Sequence, residues 1–156
     1  MRQLAGVVLL ILAGCVSPES NITMYPVTSG GTLGQHLESR SSAVVLVLDP
    51  ADLVVCGNHV SRWMEWGREH PGQLLIVLSK VPSQADRKQL LLFRVRHDAV
   101  LQGSRKFARI TTPHEYLVEN GQVVLSEPVP VGSPESPLLK ALERGQVAGM
   151  AKSRRT

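Results

Sequence analysis

Ala43-Val44-Val45-Leu46-Val47-Leu48, running directly into Asp49-Pro50-Ala51-Asp52-Leu53-Val54-Val55-Cys56, is the stretch from which the architecture of this chain can be read. Its first six residues are all aliphatic, and half are β-branched. A strand with one wet face alternates apolar and polar side chains, so an unbroken run predicts a strand covered on both faces. Asp49-Pro50 ends the run. From Gly57 to His70, Val60, Trp63, Met64 and Gly67 recur at helical spacing along one side, and Pro71-Gly72 stops the helix.

Outward from this unit the rhythm repeats. Leu74 to Leu78 (LLIVL) predicts a second buried strand. Ser83 and Asp86 form a capping-box signature that opens a helix through about Val95, with Ala85, Leu91, Leu92 and Val95 expected inward. Tyr116 to Val118 and Gln122 to Leu125 flank Glu119-Asn120-Gly121, a strong hairpin signal. Ser136 caps a last helix with Pro137 in its first turn and Leu138, Leu139 and Leu142 along one side. The order is strand, helix, strand, helix, hairpin, helix. A right-handed crossover makes the first two strands parallel and the hairpin adds an antiparallel pair, so the expected fold is an α/β sandwich on a mixed sheet.

Composition narrows the classes of function. The chain has 156 residues, 43% hydrophobic and 19% charged, with only two each of Trp, Tyr and Phe. That suits one domain with a real core and excludes collagen, long coiled coil and wholesale disorder. A net charge of +4 is too mild for a nucleic-acid binder, and Arg105, Lys152, Arg154 and Arg155 sit in a loop and a tail rather than on one repeated face. Two cysteines, Cys15 and Cys56, allow at most one disulfide and no multi-thiolate zinc site. No phosphate-binding glycine loop, Gly-x-Ser-x-Gly elbow or His-Glu-x-x-His pair occurs, so nucleotide and hydrolase chemistry lack support.

The N-terminus carries an address. Arg2 precedes an apolar run from Ala5 to Leu12, too short to span a bilayer as a helix but suited to the core of a secretory signal. Leu12-Ala13-Gly14-Cys15 resembles the lipobox of bacterial lipoproteins. That resemblance implies removal of residues 1–14 as a signal peptide, acylation of Cys15 (with palmitate among the acyl groups), and export to the face of the cell membrane or the outer membrane, with the domain toward the periplasm or exterior. Val16 stands where an inner-membrane retention Asp would, which favours the outer membrane in a two-membrane cell. With Cys15 held in a thioether, Cys56 is the remaining thiol. Residues 16 to about 42, rich in Ser, Gly, Thr and Pro, read as a flexible tether with a short element near Leu33 to Leu37. The expected organisation is therefore signal peptide 1–14, lipidated Cys and tether 15–42, folded domain 43–148 and basic tail 149–156.

The folded part resembles the thioredoxin family over about residues 40 to 148. Thr112-Pro113 precedes a strand, a Glu-Asn-Gly turn and a strand, where thioredoxin-like domains place a cis-proline. The Leu48 to Cys56 string runs from a buried strand into a helix, where the family carries its Cys-x-x-Cys. The implied fold is a thioredoxin-like three-layer sandwich of the exported thiol–disulfide oxidoreductase type. Laid without a gap, the motif falls on Leu53-Val54-Val55-Cys56, so the attacking cysteine is replaced by Leu53. In a second register, with the loop longer by a turn, Cys56-Gly57-Asn58-His59 becomes Cys-x-x-His, and a protonated His59 would lower the thiol pKa.

Each candidate has a plainer reading. Cys56 is a nucleophile or a buried core thiol, and His59 is its partner or a half-exposed helix residue. Asp49 and Asp52 offer a base or a helix cap, with Asp52 preferred as the cap. Cys56, His59 and His114 form a minor copper- or zinc-ligand alternative. His36, His70 and His97 read as surface residues, and Trp63 and Trp66 as covering the helix–sheet contact. Three basic residues in the tail would add little attraction to a membrane surface. The leading expectation is a membrane-anchored thioredoxin-like lipoprotein without dithiol chemistry. It would act as a binding or scaffold module whose face around Leu53, Thr112 and Pro113 holds an extended peptide or an envelope protein. The alternatives are a monothiol oxidoreductase using Cys56, and metal handling. No cofactor, nucleotide or nucleic acid is expected.

Overall fold

The computed structural model describes residues 18–145 except 97, 98, 131, 132 and 134. The signal peptide, Cys15, His97 and the basic tail lie outside the described residues. None of the described helices is long and apolar enough to cross a membrane.

Five strands form one mixed sheet in the order β3-β2-β1-β4-β5. β1 (Ser42–Leu48) pairs in parallel with β2 (Leu74–Leu78), Leu46 opposite Ile76, and antiparallel with β4 (His114–Glu119), Val45 opposite Tyr116. β4 and β5 (Gln122–Pro128) form the expected hairpin, with positive φ at Asn120 (50°) and Gly121 (77°) as a type I′ turn requires. β3 (Val100–Gln102), parallel to β2 at the edge, was not foreseen, because three residues carry no readable period.

The crossover rule places the helices. From β1 to β2 to β3 the sheet is built in one direction, so right-handed crossovers carry α2 (Asp52–Glu69) and α3 (Gln84–Leu92) over the same face. α4 (Pro137–Glu143) joins them there. Period-two alternation in β1 then sends Val44, Leu46 and Leu48 toward these helices, packed with Leu53, Val60, Trp63 and Leu138. Ala43, Val45 and Val47 point the other way. The capping box expected at Ser83 and the cap expected at Ser136 both form: Ser83 and Asp86 bond reciprocally, and the Ser136 hydroxyl caps α4 by accepting from the Leu139 N–H. α3 nevertheless ends at Leu92, with Arg94 in a left-handed conformation (φ 54°). It turns Leu90 inward and Val95 follows beyond it, while Ala85, Leu91 and Leu92 are exposed, because the short helix meets the core only through its last turn.

The segment expected as a tether is ordered from Pro18 onward. A 3-10 helix (Pro18–Met24), paired bridges from Pro26 to Thr32 and from Val27 to Gly103, and α1 (Leu33–Leu37) behind a Thr32–Gln35 capping box cover the second face of the sheet. Ile22, Val27, Leu33 and Leu37 are buried against Val45, Val47, Phe107 and Tyr116. Without this layer the all-aliphatic β1 would show half its side chains to water. Leu33→Ala is expected to lower the unfolding free energy by about 2–5 kcal/mol in urea titrations, the cost of truncating a core leucine, whereas in a tether it would be neutral.

Candidate functional site

The register of β1 with β4 puts Pro113 level with Leu48, one residue before the loop that starts α2. The Thr112–Pro113 bond is cis, and the Pro113 carbonyl accepts from the Val129 N–H at 2.9 Å. The carboxyl ends of β1 and β2, the cis-proline and the end of β5 therefore share one end of the sheet, where ligands of open α/β sheets commonly bind.

Asp49-Pro50-Ala51-Asp52 builds the entry to α2. The Asp49 side chain accepts from the Ala51 N–H at 3.1 Å, and Asp52 reaches back to the Asp49 N–H at 3.0 Å. Asp49 and Asp52 thus brace the turn that leads into α2, while the residue at the N-cap position is Ala51, without a side-chain cap, which corrects the expectation that Asp52 is the helix cap. Pro50 between them favours the turn. Burial acts to raise the Asp49 pKa, but the ion pair with Lys80 and the Ala51 N–H outweigh it and hold the carboxyl below its ordinary range.

The first turn of α2 is tight: Asp52, Leu53 and Val54 donate to the carbonyls three residues earlier. Cys56 then departs from helical geometry (φ −107°, ψ 19°), and regular helix resumes at Gly57. Leu53, in helical register with Gly57, Val60 and Met64, is wholly buried (0% exposed), while Val54 (73%) and Val55 (61%) face solvent. Cys56 is a thiol, 7% exposed. The ring of Phe93 lies against Gly57, where a Cβ would come within 2.2 Å of it. Of the residues expected to bind, Leu53 belongs to the core, Pro113 is buried and Thr112 half-buried, and the exposed large apolar residues at this end, among the described ones, are Val54 and Val55 on α2 and Val81 after β2.

A second constellation, not foreseen, lies beneath. Glu115, fully buried on β4, receives the Trp63 indole N–H at 2.6 Å on Oε1 and the Ser136 hydroxyl at 2.7 Å on Oε2. His59 Nε2 lies 2.8 Å from the same Oε1, at ion-pair distance but off the line a hydrogen bond needs. His59 is 2% exposed, which corrects the expectation of a half-exposed helix residue. Two signals pointed here: His59 and Trp63 are one turn apart on one helix face, and Glu115 interrupts an otherwise apolar strand pattern.

The three-ligand alternative does not assemble. Glu115 meets His59 on the α2 face, and the neighbouring strand residue His114 points to the opposite face, stacked on Tyr116 at 4.4 Å and 2.9 Å from Ser126 Oγ. Among the described residues no three His, Cys, Asp or Glu side chains gather as metal ligands. Trp63 and Trp66 are buried edge-to-face, and His70, expected at the surface, is half-buried and stacks on Trp66 at 4.2 Å. His36 is likewise half-buried, 3.0 Å from the Gly30 carbonyl.

The parallel β1-α2-β2 unit, the cis-proline before β4, the β4–β5 hairpin and the closing α4 together make this a thioredoxin-like α/β domain. Several solved structures resemble the chain at low identity. Yeast Sco1 has 12% identity and a TM-score of 0.46, covering 78% of this chain and 90% of its own. A hypothetical protein from Sinorhizobium meliloti has 15% identity and a TM-score of 0.47, covering 81% and 79%. The exposed lipoprotein thioredoxin Etrx1 from Streptococcus pneumoniae has 13% identity and a TM-score of 0.42, covering 76% and 96%. No protein-family model and no curated protein sequence matches the chain.

Glu115→Ala removes the acceptor for two buried donors and is expected to cost about 3–5 kcal/mol in equilibrium unfolding. Glu115→Gln, which can still accept from Trp63, should cost about 1–2 kcal/mol. For Asp49, whose folded pKa is depressed, the stabilisation is present above the unfolded-state value of about 4 and is lost as pH falls through the folded one. Asp49→Asn should therefore be less stable than the parent at pH 7, with the gap narrowing in urea titrations as pH drops below about 4.

Proposed function

We propose that this chain is a thioredoxin-like binding module of the bacterial cell envelope, anchored through an acylated Cys15, that holds an extended apolar peptide without exchanging disulfides. The observation that carries this reading is the composition of the sheet end beside cis-Pro113. There Val54 and Val55 are exposed, while the position of the attacking cysteine is a buried leucine and Cys56 is covered. Dithiol exchange within one molecule requires a second thiol to resolve the mixed disulfide. An acylated Cys15 leaves none beside Cys56. Apolar side chains flanking a proline with a neighbouring strand end suit a peptide that contributes backbone hydrogen bonds and alternate side chains. The lipid anchor and the envelope location rest on Leu12-Ala13-Gly14-Cys15 and the apolar run before it.

A second reading, a monothiol oxidoreductase, is favoured by the kink. Because regular helix resumes at Gly57, Cys56 stands where the Cys-Gly-Asn-His register would put the nucleophile, with His59 one turn on and positioned by Glu115. An external thiolate would then resolve the mixed disulfide formed on Cys56.

Two measurements on a Cys15→Ser chain separate these. Under the binding reading, Cys56 is alkylated only after unfolding. A fluorescent carboxymethylated unfolded polypeptide binds, Cys56→Ser leaves that binding unchanged, and Val54→Asp with Val55→Asp weakens it at least about tenfold, the equivalent of roughly 1.4 kcal/mol. Rapid alkylation of the folded protein with an apparent pKa well below about 8.5, together with disulfide exchange that Cys56→Ser abolishes, would establish the monothiol enzyme instead.

A further inference from the structure

At the other end of the sheet, between the C-terminal half of α2 and the connection from α3 to β3, lies a groove of about 310 Å³. That volume is at the lower bound of small-molecule sites. Its floor is apolar, formed by Met64, Leu74, Phe93 and Ala99, and Arg40, Arg68, Arg94 and Arg96 stand around it. No carboxyl group lines it among the described residues. Surface arginines usually meet a carboxylate or water. Here Arg40 Nη1 is buried and lacks a hydrogen-bond partner, and desolvation pushes the guanidinium pKa below its ordinary value. Arg40 as a whole is half-buried, so its charge is partly desolvated and an anion in the groove would offset that loss.

We propose that this groove binds a small acidic amphiphile, its carboxylate engaged by Arg40 with Arg68 and Arg94 at the rim and its aliphatic body on Met64, Leu74 and Phe93. The chemistry on both sides matches. Guanidinium groups pair with carboxylates in bidentate fashion, and an apolar floor rewards a body that a simple anion lacks. Exposed Leu92, also in the lining, extends the apolar surface outward. The groove adjoins Pro71-Gly72 and the start of β2, whereas cis-Pro113 is at the opposite end, so the proposal stands apart from the peptide-binding reading.

The test is isothermal titration of the full chain carrying Cys15→Ser with decanoate, held below its micelle-forming concentration, and in parallel with decanol and with phosphatidylglycerol vesicles. Decanoate is expected to bind at least about tenfold more tightly than decanol, as a charge-assisted hydrogen bond implies. Arg40→Gln and the double variant Arg68→Gln, Arg94→Gln should each weaken decanoate about tenfold, while Arg105→Gln, away from the groove, leaves it unchanged. Should Arg40→Gln fail to fold, Ser61→Trp, an exposed lining position on α2, blocks the groove with every arginine intact and should abolish binding. Equal affinity for decanol, indifference to these variants, or binding to vesicles but not to decanoate would each overturn the proposal. Val54→Asp with Val55→Asp should not alter decanoate binding, so this result and the peptide result can fail separately.

Discussion

Glu115 is the polar hub that joins the sheet to the helical layer. Its carboxyl group is reached by donors from two helices that are far apart in sequence, Trp63 on α2 and Ser136 at the start of α4, with His59 alongside. The Ser136 hydroxyl is shared in a chain, donating to Glu115 and accepting from the Leu139 N–H that begins α4. Each group is satisfied only if both helices sit at one height on β4. Apolar side chains alone would tolerate sliding of α2 along the sheet, because hydrophobic burial is not directional. A buried carboxyl with several fixed partners removes that freedom, since a displaced helix would leave donors unpaired in the core.

The positions of both proposed binding regions follow from that fixed frame. Holding α2 through its middle, at His59 and Trp63, leaves its two ends to serve different surfaces. The N-terminal turn, tightened by Asp49, Asp52 and the ion pair to Lys80, presents Val54 and Val55 beside cis-Pro113. The C-terminal half, with Met64 and Arg68, forms one wall of the arginine-rimmed groove. The kink at Cys56 is the joint between the hub and the N-terminal turn. In that turn Leu53 enters the core and the two valines emerge.

Most of the architecture was legible in the chain because it rests on local or period-two signals. The unbroken run from Ala43 to Leu48, the second run from Leu74 to Leu78, and Asn120-Gly121 specify strands and a hairpin by themselves, and crossover handedness orders them. Helix starts at Ser83 and Ser136 were readable from the capping side chains. The layer formed by residues 18–37 was legible only as the short element near Leu33 to Leu37, which is α1: Ser, Gly and Thr between isolated apolar residues look like a linker, and Ile22, Val27 and Leu33 find partners only when the sheet's second face exists.

The site shows the same division. Sequence alone determined that one helix carries Cys56 and His59 a turn apart, that the Leu53-Val54-Val55-Cys56 motif holds one thiol, and that Thr112-Pro113 leads into the hairpin. Only the tertiary structure decided which of these groups meet. A strand's alternation sends Glu115 to His59 and its neighbour His114 to the opposite face, and the packing of α2 on the sheet covers Leu53 and leaves Val54 and Val55 at the surface. The physical reason is that periodicity within an element assigns side chains to faces, whereas contact between elements depends on register, which no local pattern encodes.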